Sequence, residues 1–234
     1  MSEELENTPY LYLSSNRFGI YLYDKKENKN IFKCEIELQN KFEIIDVNEI
    51  SNFVENNIFK IEKLIGKFVK NIILVIENNQ ISNLYLGIKK KNYDESISET
   101  KLKNILTEAK DLFKENYQDH SIMHMLIENY LINGKNYPSF TSDLECDQFS
   151  LEIRFIYFSD KFANEIDKVL HKFQIKVIKY MDGNYIRNFF PEEDLDLPEM
   201  IYRITMGNNA NEVSLVSKNV KKSGFFERFF QLFS

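Results

Sequence analysis

The chain has 234 residues, 43% of them hydrophobic and with a formal net charge of −6, which allows one or two domains with a proper core. The charge speaks against nonspecific nucleic-acid binding by the body, because basic residues are scattered among acids except near Lys218, Lys221 and Lys222. No apolar run approaches the ~18 residues of a spanning helix. The acidic start Met1-Ser-Glu-Glu lacks a signal peptide's basic and apolar regions, and Cys34 and Cys146 form no metal or redox spacing. The expectation is a protein that stays in the reducing compartment where it is made, with both thiols free.

Residues 10–23 alternate around Ser14-Ser15-Asn16, and 31–38 continue the alternation, so a hairpin or meander comes first. Ile50, Phe53, Val54, Ile61, Leu64, Ile65 and Phe68 follow helical spacing over 47–68, with Asn56-Asn57 as a possible break. A short buried strand at 71–76 and another at 81–89 follow. The clearest helix spans 96–117, where Leu102, Ile105, Leu106, Ala109, Leu112 and Phe113 form a stripe behind a Ser98 N-cap. A strand pair at 120–133 and 148–158 is joined by a polar loop around Pro138. A helix at 161–173 and a strand at 175–180 complete a strand-helix-strand-strand-helix-strand order. Residues 192–222, acidic and then Asn-rich, read as a linker with at most one element, at 200–206. The fold class is therefore α/β (α+β).

The tail reads differently. Phe225, Phe226, Phe229, Phe230, Leu232 and Phe233 share an arc of roughly 160° on a helix, with Glu227, Arg228 and Gln231 opposite. Lys221 and Lys222 precede it, a cationic lead suited to an anionic leaflet. Lys221, Lys222, Phe225, Phe226, Arg228, Phe229, Phe230, Leu232 and Phe233 are thus the expected membrane-binding residues. The competing reading is a helix docked on the protein's own core.

Catalytic and metal patterns are weak. His120 and His124 are four apart, but Ser121 stands where a metalloprotease helix has Glu, and the segment reads as a strand. His124 fits a structural histidine. The cluster Glu192-Glu-Asp-Leu-Asp196 lacks the glycine turn of a calcium loop. No Gly-x-Ser-x-Gly elbow surrounds Ser14 or Ser15.

The run 96–110, the strand 122–134 with His124, Tyr130, Asn133 and Gly134, then 151–157, Ala163-Asn164 and 173–177 resemble, in order and spacing, the inserted subdomain of FtsA, the actin-like bacterial cell-division protein. Residues 10–23 stand where that family has its first phosphate hairpin, and 47–76 where it has the next helix and strand. The tail resembles the family's membrane-targeting helix. On this resemblance, 1–77 is a remnant actin-like subdomain, 78–182 the inserted subdomain, 183–217 a linker and 218–234 the tail. Leu11 and Leu13 then occupy the Asp and Gly positions of the phosphate hairpin, leaving only Ser14 and Ser15, and leucine binds no metal. The residues after Tyr180 are too few for a second actin-like half, where the FtsZ site of the family largely lies, so binding of FtsZ is not implied. The resemblance implies a reduced form without ATPase activity or cofactor. Its expected role is that of a membrane-peripheral division adaptor at midcell, on the cytoplasmic face of the inner membrane. Its expected partners are anionic lipid and other division proteins, with self-association possible and no nucleic acid. The alternatives are an actin-like component of a pilus or secretion assembly, and a small-molecule-binding domain whose tail packs on itself.

Overall fold

The computed structural model describes residues 8–24, 26–38, 46–140, 145–191 and 193–214, without the side chains of 92–96 and 145. In chain order the elements are β1 (Tyr10–Ser14), β2 (Arg17–Asp24), β3 (Lys29–Glu37), α1 (Val47–Ile65), β4 (Asn71–Glu77) and β5 (Ser82–Ser96). They continue with α2 (Glu99–Asn116), β6 (His120–Ile132), β7 (Lys135–Tyr137), β8 (Glu145–Ser159), α3 (Asp160–His171), β9 (Lys176–Asp182), α4 (Gly183–Phe189) and α5 (Leu197–Thr205). The architecture is mixed α/β, in two compact units: Met1–Ile81 with Phe158–Asn208, and Ser82–Tyr157 with the residues from Asn209.

The first unit holds a five-stranded sheet in the order β3-β2-β1-β4-β9. The β1–β2 and β2–β3 pairs are antiparallel, whereas β1–β4 and β4–β9 are parallel. A parallel pair needs a crossover, and α1 supplies it between β3 and β4. Its buried residues Ile50, Phe53, Val54, Ile58 and Ile61 recur at three and four, and Asp46 caps its start by accepting the Asn48 N–H. Gly66 ends it at φ 68°, a left-handed conformation that costs glycine little. Asn57 does not break the helix, because its buried amide donates to the Phe53 carbonyl at 2.8 Å.

Successive side chains of a strand face opposite sides, so Leu11, Leu13, Phe18 and Ile20 share one face and Tyr10, Tyr12, Tyr21 and Tyr23 the other. The first packs beneath α1, with Phe18 and Phe53 ring centroids 5.9 Å apart. The tyrosine face is buried as well, and α4 and α5 bury it. This corrects the expected linker at 183–217: a sheet apolar on both faces needs a second layer, and residues 183–205 provide it. Asp196, exposed like Glu193 and Asp194, also caps α5 by accepting the Glu199 N–H, and the Asn30 amide donates to the same carboxylate. Leu197, Met200, Ile201 and Ile204 line the buried side of α5, and Tyr202 lies 5.6 Å from Tyr23, ring to ring.

The second unit is a four-stranded sheet, β5-β8-β6-β7, with β5 and β8 antiparallel. Its core joins Leu102, Ile105, Leu106, Ala109 and Phe113 of α2 to Leu151, Ile153 and Phe155 of β8. Ser98 caps α2 as expected. Asn133 and Gly134, both at positive φ, form the two-residue turn between β6 and β7, and Asn133 Oδ1 accepts the Asp147 and Gln148 N–H groups. The unit is completed from far along the chain: the Ile127 N–H donates to Asn211 and the Val213 N–H to Met125, while His124 Nδ1 meets Glu212 Oε1 at 2.8 Å. His124 is therefore the structural histidine its position suggested, 1% exposed. The expected inserted span of 78–182 needs correction too. Strand β9 pairs with β4 and α3 packs with α1, so both belong to the first unit.

Candidate functional site

Open α/β sheets hold ligands outside the carboxyl ends of their parallel strands, which makes the ends of β1, β4 and β9 the place to look. Ser14, Glu77 and Asp182 stand there, brought level by the pairings Ser14 with Glu77 and Ile76 with Asp182. Arg17 enters from β2 and Arg187 from α4.

These side chains are already engaged with one another. Glu77 Oε2 accepts the Tyr12 hydroxyl at 2.8 Å and Arg187 Nε at 2.9 Å. The Arg17 and Arg187 guanidinium carbons lie 5.2 and 5.6 Å from the centre of the Tyr12 ring, within cation–π range. Arg17 also pairs with Glu35 at 3.8 Å, and Glu35 accepts the Tyr21 hydroxyl at 2.5 Å. Burial, and then the bond to Glu35, raise the Tyr21 phenol above its ordinary range. Burial would raise Glu35, but the Tyr21 hydroxyl with the Lys33 and Arg17 charges outweighs it and holds the carboxyl below its usual value. Two arginines thus face two glutamates across two tyrosines.

The remaining groups serve the backbone. The Asp182 carboxylate accepts the Asn184 and Tyr185 N–H groups as the N-cap of α4. Gly183 follows because a Cβ there would lie 2.9 Å from Glu77 Cβ. The Ser14 hydroxyl lies 2.8 Å from Asn16 Oδ1 and accepts the Arg17 N–H at 3.0 Å, closing its own turn. Ser15 is half-buried in that turn. Leu11 and Leu13 are fully buried on the opposite face, beneath α1. Among the described residues no three His, Cys, Asp or Glu side chains converge.

Sequence reading located the hairpin but missed Tyr12, Arg17, Glu77 and Arg187 as a set. Glu77 lies 65 residues from Tyr12 and 110 from Arg187, so no local pattern joins them. Asp182-Gly183 was the one legible signal, an N-cap ahead of a turn of helix. The expected membrane-binding residues, Lys221 to Phe233, lie outside the described residues. No described helix is long and apolar enough to cross a membrane.

No family model matches the chain, and no curated protein matches it. Solved structures do show likenesses. A Bacteroides thetaiotaomicron protein described as having an actin-like ATPase fold is 14% identical, with a TM-score of 0.36 over 81% of this chain and 58% of that one. The PilM–PilN type IV pilus biogenesis complex gives 9% identity and a TM-score of 0.45 over 78% of this chain and 49% of that one. The cytoplasmic domain of EpsL, an inner-membrane component of the Vibrio cholerae type II secretion system, gives 8% identity and 0.37 over 77% and 57%. The chain spans about half the length of these structures. Likeness of this degree decides nothing about function.

Proposed function

We propose that this chain is a non-catalytic scaffold of actin-like descent that works at a membrane surface by binding other proteins. One observation carries the reading: at the carboxyl ends of β1, β4 and β9 the chain's own Tyr12, Glu77, Arg187 and Arg17 fill and neutralise the place where a phosphate would have to approach. A nucleotide needs free backbone N–H groups and a carboxylate for its metal. Here the Arg17 N–H is closed onto Ser14 and Glu77 is held by two donors. The hairpin, crossover helix and parallel strand of the first unit follow the order that the family resemblance implied.

The Phe-rich face after Lys221 and Lys222 supports attachment to anionic lipid. Attachment of a single amphipathic helix is reversible, and its effect is to raise the local concentration of a binder without new contacts. The scaffold serves either division, which the family resemblance favours, or a pilus or secretion assembly, the other actin-like setting.

A fluorescent fusion in dividing cells, with and without residues beyond 222, tests this. Midcell signal lost with the tail supports the division role, and tail-dependent envelope foci away from midcell support the other assembly. Uniform cytosolic signal from both forms, or metal-dependent ATP hydrolysis by the purified chain, would overturn the scaffold reading.

A further inference from the structure

A groove of about 530 Å³ opens between β3 and α1, within the first unit and on the face of the sheet away from Tyr12. Its floor is Cys34, Ile36 and Leu38 of the β3 segment, with Phe53 behind them. Ile36 is 39% exposed, although its neighbours across the sheet, Phe18 and Ile20, are fully buried. Helix α1 packs on β2 and, among the described residues, leaves this strip open.

Three observations fix what kind of occupant suits it. First, β3 is an edge strand among the described residues. The Leu38 N–H donates to Asn16, and hydrogen-bonded pairs alternate along an antiparallel ladder, so Lys33, Glu35 and Glu37 turn their main-chain groups outward. Such a row is a template for an added strand. Second, Asn52 and Asn56, one helical turn apart on α1, also line the groove. A primary amide both donates and accepts, so it can pair with an extended backbone whatever its side chains. Third, the lining holds one carboxylate oxygen without a partner. Lys60 is engaged by Asn57 at 3.2 Å, whereas one Glu49 carboxylate oxygen is shut off from solvent without a hydrogen-bond partner. A buried carboxylate oxygen in that condition favours an incoming cation.

We propose that this groove docks an extended, basic segment of a partner protein, added as a sixth strand beside β3. Its main chain pairs with Lys33, Glu35 and Glu37, alternate apolar side chains cover Ile36 and Leu38, and a lysine or arginine reaches Glu49. Docking of this kind is independent of the filled strand ends and of the tail.

The test uses the full chain and a labelled synthetic peptide alternating valine and lysine, with its valine–glutamate counterpart as control. Fluorescence polarisation reports affinity, and amide hydrogen exchange reports place. Saturable binding of the lysine peptide is expected, with new protection at Lys33, Glu35 and Glu37. Affinity should fall at least about tenfold in Glu49→Gln and in Ile36→Asp, the size of one charge-assisted hydrogen bond or one apolar anchor. The Asn52→Ala, Asn56→Ala double variant should lose affinity while melting within a few degrees of the native chain, which separates docking from folding. Absence of binding, equal binding of the glutamate peptide, protection elsewhere, or indifference to all three variants would overturn the proposal. Pairing of two copies through β3, seen as a dimer abolished by Ile36→Asp, would also overturn it.

Discussion

Removing the Glu77 carboxylate should both weaken the first unit and open the site at the ends of its parallel strands. In Glu77→Ala the Tyr12 hydroxyl, on a residue 2% exposed, loses its acceptor. An unsatisfied buried hydroxyl costs about 1–3 kcal/mol. The Arg187 pair is worth less, because that side chain is 35% exposed and water replaces part of the partner. A half-exposed ion pair contributes about 0.5–1 kcal/mol. The expected loss is therefore about 2–3 kcal/mol, or roughly 5–10 °C in Tm for a unit of this size. Tyr12→Phe alone should cost about 1 kcal/mol, and the double variant less than the sum by about 1 kcal/mol, since both single changes break the same bond. Urea unfolding at constant slope gives all four values. Phosphate supplies the second arm. With Glu77 gone, Arg17 and Arg187 share less negative charge, so phosphate should raise the Tm of Glu77→Ala, compared with chloride at equal ionic strength, and leave the native chain unmoved. Coupling below about 0.5 kcal/mol, or stabilisation of the native chain by phosphate, would refute the closed-site argument.

Other outcomes follow from the same geometry. Burial raises the Tyr10, Tyr21 and Tyr180 phenols above their ordinary range and pushes Tyr23 and Tyr130 up to about 12. Unfolded tyrosines ionise near 10, so the unfolded state sheds protons first and stability must fall as pH rises above about 10. Phenolate absorbance of the buried tyrosines should therefore appear together with loss of the far-ultraviolet circular dichroism; their ionisation in a still folded chain would contradict it. Gly183→Ala should cost about 1–3 kcal/mol by displacing Glu77, while Gly87→Ala, where an added Cβ meets nothing within 4 Å, should be close to neutral. Chemical denaturation compares the two, and equal effects would mean that α4 shifts freely. Phe226→Asp with Phe229→Asp should abolish co-sedimentation with anionic vesicles by interrupting the apolar face with charge; undiminished binding would place the anchor elsewhere.

Most of the regular elements were legible because their signals are local. The α1 stripe is read directly from Ile50, Phe53, Val54 and Ile61, and Ser98 announces α2. Helix α5 carries equally local signals, an Asp196 cap, Pro198 in the first turn and apolar residues at 197, 200, 201 and 204. Sequence reading kept only one possible element there, at 200–206, because the acidic residues before it suggested a linker. What decides its place is the second buried face of the sheet, and a row of tyrosines does not announce burial as plainly as Leu or Ile. The strand-end cluster was illegible for a different reason: its members meet only after β4 and β9 lie side by side.

The division of the first unit between residues up to 81 and residues from 158 to 208 bears on how the protein is made. A ribosome delivers β1 to β4 early, but β4, with Ile72 to Ile76 all buried in the finished fold, has no neighbour on its β9 side until residue 182 has emerged. The intervening stretch 82–157 holds all four strands and the helix of the second sheet in one continuous piece. We infer that this later segment gains structure first, and that the early hairpin waits with an open strand edge, vulnerable to wrong pairing. Protease challenge of ribosome-stalled chains that end within α3 and carry an added linker long enough to clear the exit tunnel should find 82–157 more resistant than 10–77; the reverse pattern would show that the hairpin and α1 fold without β9.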